Sequence, residues 1–77
     1  MEYNKLLHKR LIDFKKNVLN EDTQVEAGRI WSDLVFALDV KDSVRVLEAW
    51  SFWSDNKNSQ SLSAFDHLLT EIINKYK

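Results

Sequence analysis

The sequence predicts an all-α fold: a small antiparallel bundle of four short helices, over about residues 2–19, 23–38, 42–54 and 61–76, or three if the middle two are continuous. Three observations lead there. The chain has no proline and one glycine, whereas sheets need turns, and turns favour Gly, Pro and Asn-Gly pairs. Apolar residues recur three and four apart through most of the length, which is the period of a helix. The last of these runs has a heptad-like seam, which suits antiparallel bundle packing at about 20°.

In the first helix the apolar positions are Tyr3, Leu7, Leu11, Phe14 and Val18, widened by Leu6, Ile12 and Leu19. The lysines fall largely on the other side, as on the solvated face of a core-facing helix. Residues 20–23 make a connection. Thr23 followed by Glu26 reads as a capping box, in which the hydroxyl caps the second helix and the carboxylate reaches back. That helix carries Ala27, Trp31, Leu34 and Leu38 as its stripe, with Ile30 and Ala37 beside it. Gly28 near its start costs about 1 kcal/mol relative to Ala; close approach of another helix beside Trp31 accounts for it.

Residues 39–42 interrupt the pattern, because continuing the stripe lands on Lys41, Asp42 and Arg45, all charged. Asp39 or Asp42 is suited to cap a third helix. This helix has Val46, Trp50 and Trp53 on one side with Leu47 adjacent, while Val44 and Phe52 lie off that line. Residues 55–61 are polar throughout and form a loop, at whose end Ser59, Ser61 or Ser63 caps the last helix. That helix has the cleanest stripe, Leu62, Phe65, Leu69, Ile72 and Tyr76, broadened by Leu68 and Ile73.

Seventy-seven residues make one domain, and a core this small often needs disulfides, metals or oligomerisation for support. No cysteine is present, so disulfides and thiolate metal sites are excluded, and a reducing, cytoplasmic setting is expected. No apolar run approaches the roughly 18–20 residues of a membrane span. The first ten residues lack the apolar centre of a signal peptide. The net charge of −1 is unevenly spread: residues 1–19 carry five bases and two acids, residues 20–55 eight acids and three bases. A basic first helix and an acidic middle match electrostatically, within one chain or between two.

Little in the chain points to chemistry. His8 and His67 are the only histidines, with Glu71 one turn after His67. They lack the ligand number and tight spacing of a zinc site, so neither metal nor cofactor is expected. No nucleophile elbow and no Gly-rich oxyanion loop occurs, and so small a bundle leaves little room for a ligand-sized concave pocket. No catalytic residue is assigned.

The remaining signal lies in residues 30–53, which hold all three tryptophans and two of the four phenylalanines. Residues 34–38, LVFAL, are apolar five in a row and go right round a helix axis. Trp50 and Trp53 share a face, but Phe52 sits roughly 160° from Trp50. One thin core cannot take them all, so either this segment runs through the middle of the bundle or its outer side meets another molecule. The expected protein-binding residues are Phe36, Trp50, Phe52 and Trp53, with Asp33 and Glu48. A ring of acids, Asp33, Asp39, Asp42, Glu48 and Asp55, favours a basic partner by steering.

The expected function is therefore a small non-catalytic protein-binding module of regulator, inhibitor, immunity or adaptor type, self-associating as a dimer through the second and third helices. The alternative is a nucleic-acid-associated protein that uses Lys5, Lys9, Arg10 and Lys16 of the first helix in a dimer. The slightly acidic balance and the lack of helix-turn-helix spacing weigh against it. A membrane-surface role is not expected, because the core needs the apolar side of the first helix.

Overall fold

A computed structural model describes residues 2–77, with side chains from Lys5 onward. It contains four α-helices, α1 (Glu2–Val18), α2 (Gln24–Leu34), α3 (Val40–Asp55) and α4 (Ser59–Lys75), and no strand among the described residues. Short 3-10 turns at Glu21–Thr23 and Val35–Ala37 precede and follow α2. The helices pack as an antiparallel bundle in which α1 lies against α2 and α4, and α3 against α4. Cross-helix pairs give the directions: Arg10 meets Asp33, His8 meets Ile73, Lys15 meets Asp66, and Asp42 meets Lys75.

The periodic stripes become the core. Leu7, Leu11, Phe14 and Val18 of α1 are buried together with Phe65, Leu69, Ile72 and Ile73 of α4. Ala27 and Leu34 of α2, Leu38, and Val46 and Trp53 of α3 complete the cluster. Tyr3, the first member of the expected α1 stripe, lies outside the described side chains.

The middle helices are separate. Leu38 is extended (φ −90°, ψ 150°), which ends the preceding turn, and Asp39 caps α3 by accepting from the Lys41 amide at 3.2 Å. The third helix thus starts at Val40, two residues earlier than its pattern suggested. At the next turn the cap is Asn58, whose side chain accepts from the Ser61 amide while Ser61 Oγ accepts from the Asn58 amide. Among the candidate serines, Ser61 serves as the reciprocal member of that box.

Two local expectations are corrected. The Thr23–Glu26 capping box does not form. The chain turns so tightly after α1 that its last carbonyls, which have no helical partners, face the next segment. Thr23 Oγ1 donates to the Asn17 carbonyl at 2.6 Å, and Gln24 Nε2 donates to the Val18 carbonyl at 2.6 Å. The hydroxyl is therefore engaged before it can cap α2. Gly28 is likewise not a point of close approach, since a Cβ there would meet nothing within 4 Å.

Asp42 neither caps α3 nor joins a solvent-facing ring of acids. It is 2% exposed. Its Oδ2 accepts from Lys75 Nζ at 2.7 Å and from the Tyr76 hydroxyl at 2.8 Å. The Tyr76 oxygen in turn accepts from the Asp39 amide at 2.8 Å. This network ties the start of α3 to the end of α4. Burial alone pushes the Asp42 carboxyl up, but the two hydrogen bonds and the Lys75 and Arg45 charges outweigh it, leaving a net shift below 3.8. Burial and the bond to Asp42 raise the Tyr76 phenol, although the Asp39 amide opposes them.

Because folding lowers the Asp42 pKa, its contribution is complete above the unfolded value near 3.8 and is lost as pH falls through the folded one. Asp42→Asn should cost about 1–3 kcal/mol at neutral pH. The gap to wild type should narrow below about pH 3.8 in urea titrations across pH. Gly28→Ala should stabilise the protein by about 0.4–1 kcal/mol, read as a higher urea midpoint at unchanged slope.

Candidate interaction surface

The aromatic-rich region divides into an inward and an outward set, and α3 carries both. Its inward line is Val46, Trp50 and Trp53. Trp53 is 4% exposed, with its ring 6.0 Å from Phe65 and the Lys57 ammonium 5.3 Å from its centroid. It contributes packing rather than surface. Trp50 is half-buried at the bundle edge, 5.3 Å from Phe14 and 6.5 Å from Trp31. Its indole N–H donates to Gln24 Oε1 at 2.9 Å. A half-buried indole needs such a partner, and this one fixes the ring against α1 and α2.

The outward set is different. Phe36 is 94% exposed on the turn before α3, and Phe52 is 60% exposed on α3 itself. Between them Val40, Val44 and Leu47 also stand in solvent. Positions 40, 44 and 47 are four and three apart, so they form a second apolar stripe on the side of α3 away from Trp53. Its signal was present in the sequence, but the tryptophans dominate that segment and leave Val44 looking like an outlier.

The charged candidates also separate. Asp33 of α2 faces Arg10 of α1 at 3.5 Å, so the expected basic-to-acidic match occurs within the chain at this point. Lys57, outside the first helix, pairs with Glu21 at 3.1 Å. Glu48 and Lys41 are exposed on α3 and take part in no ion pair among the described residues. Of the basic α1 residues, Lys5, Lys9 and Lys16 are exposed, whereas Arg10 is held by Asp33.

His8 Nδ1 lies 3.1 Å from the Ile73 carbonyl and ties α1 to α4, while His67 is exposed. No group of three metal-type ligands occurs among the described residues. A cleft of about 340 Å³ between α1 and α2 is lined by Leu6, Leu7, Arg10, Asp33, Leu34 and Ala37. Its two charged groups are already paired with each other. No described helix is long and apolar enough to cross a membrane. No family model, curated protein or solved structure matches the chain.

The inward and outward sets make different demands on stability. Trp53→Ala should cost about 3–5 kcal/mol, because it opens a cavity beside Phe65. Phe36→Ala and Phe52→Ala in the monomer should stay within about 0.5 kcal/mol of wild type. Chemical denaturation of the three variants separates these outcomes.

Proposed function

We propose that this chain is a non-catalytic protein-binding module, of the regulator, inhibitor, immunity or adaptor type, working in a reducing compartment such as the cytoplasm. Its binding surface is the outer face of α3 with Phe36 beside it. The observation that carries this reading is the run of exposed apolar residues Phe36, Val40, Val44, Leu47 and Phe52 in one stretch of chain, against only the scattered exposed Leu6, Ile12 and Val25 elsewhere among the described residues. Contiguous apolar surface of this kind favours association, and aromatic side chains are common anchors at its centre. Phe36 and Phe52 supply those anchors. Trp50 and Trp53 support the helix from behind.

Two occupants are expected from the sequence, a second copy or a basic protein. The nucleic-acid reading receives less support, because Arg10 is engaged by Asp33 and Lys15 by Asp66, both within the chain.

A photoreactive phenylalanine analogue placed at Ser51, on the proposed face, should give protein adducts in expressing cells. Adding Leu47→Glu should abolish them, and the same analogue at Asp13 of α1 should give none. Adducts that are equal at both positions, or that persist with Leu47→Glu, would exclude α3 as the binding face.

A further inference from the structure

We propose that the outer face of α3 binds the same face of a second copy of this chain, antiparallel, about a two-fold axis through Val44. This rests on the reading of α3 as a binding surface and names what covers it.

A two-fold interface brings one patch against itself, so the patch must be self-complementary. The exposed residues here have that property about position 44. Val40 lies four residues before it and Leu47 three after; Lys41 lies three before and Glu48 four after. In an antiparallel pair, a residue before the axis meets one an equal distance after it on the other copy. Val44 then meets its own counterpart, and Val40 sits over Leu47 of the second copy.

The charges select this occupant. On the helix, Lys41 and Glu48 fall on the same flank of the apolar stripe, about 20° apart. A two-fold axis across the helix keeps each flank against itself, so Lys41 of each copy faces Glu48 of the other. Neither residue has an ion-pair partner among the described residues of its own chain, whereas Arg45, the other base on α3, is held by Asp42 and Glu71. A basic partner would leave Lys41 facing like charge, and a parallel two-fold pairing would turn the Lys41–Glu48 flank against the opposite flank of the second copy, where neither finds its counterpart. The chain's net charge of −1 adds little repulsion between copies. With 16 residues in α3, the contact is about 24 Å long. That is small for a specific interface, so micromolar dimerisation is expected.

The lack of native cysteine makes the test clean. Val44→Cys places a single thiol on the proposed axis, and Ser51→Cys places one about 10 Å along the helix from it. Val44→Cys should form a disulfide-linked dimer readily under mild oxidation, and Ser51→Cys should not. In sedimentation equilibrium, Lys41→Glu and Glu48→Lys should each weaken dimerisation about tenfold, and the double exchange should restore it to within about threefold. Circular dichroism should remain unchanged throughout, because all four positions lie outside the buried core.

A wild-type chain that stays monomeric into the hundreds of micromolar would overturn the proposal. So would Ser51→Cys cross-linking as fast as Val44→Cys, or an exchange that fails to restore affinity. If the chain is monomeric but Ser51 still gives Leu47-dependent adducts to a different protein, only the self-pairing falls. If those adducts are also missing, the binding-face reading falls with it.

Discussion

Phe14 is the side chain on which the packing of three helices depends. It is fully buried in α1, with Trp31 of α2 at 5.2 Å and Trp50 of α3 at 5.3 Å. Tilted and edge-on aromatic contacts of this kind add to the gain from burial alone. The arrangement is locked by one polar group: Gln24 accepts from the Trp50 indole and donates to the carbonyls of Val18, the last residue of α1, and of Asn20. One glutamine thus closes the end of α1, begins α2 and positions an aromatic ring of α3.

The two ends of α3 are held by different means. At its start, Asp42 is desolvated yet fully partnered, and no buried side-chain nitrogen or oxygen among the described residues lacks a hydrogen-bond partner. At its far end, Trp53 packs on Phe65, and Lys57 links the following loop to Glu21. A helix fixed at both ends presents its outer stripe in one geometry, so the proposed association would require little ordering. The same constraint explains why apolar side chains can remain on that face. The core takes only the inward line of α3, and Val40, Val44 and Leu47 stand outside it.

Asp42 also shows how a chain of this size adds to a limited core. A buried carboxylate is costly unless it is paired and hydrogen-bonded. Here the lysine, the tyrosine and an arginine on the same helix meet that requirement together. The network joins residues more than thirty positions apart, which makes it a tertiary contact that no local rule anticipates.

The helical class, the approximate place of each helix and most of the core come from the sequence by itself, because a helix repeats every 3.6 residues and burial selects one side of it; the limits shift, α2 ending at Leu34 rather than near residue 38. Leu7, Leu11, Phe14 and Val18, and Phe65, Leu69 and Ile72, are read from spacing alone and are all buried. The break before α3 has the same origin, since the apolar phase slips at Lys41 and Asp42. The surplus of apolar residues in the middle of the chain, with Phe36 and Phe52 among them, is legible as well. Only the tertiary structure decided which of those residues lie inside. Trp50, Phe52 and Trp53 are close in sequence, and their separation depends on where α1 and α4 stand around α3. It also decided that Thr23 serves α1 rather than α2 and that Asp42 is buried. Each of those outcomes depends on a partner brought close by folding, and local periodicity carries no information about such a partner.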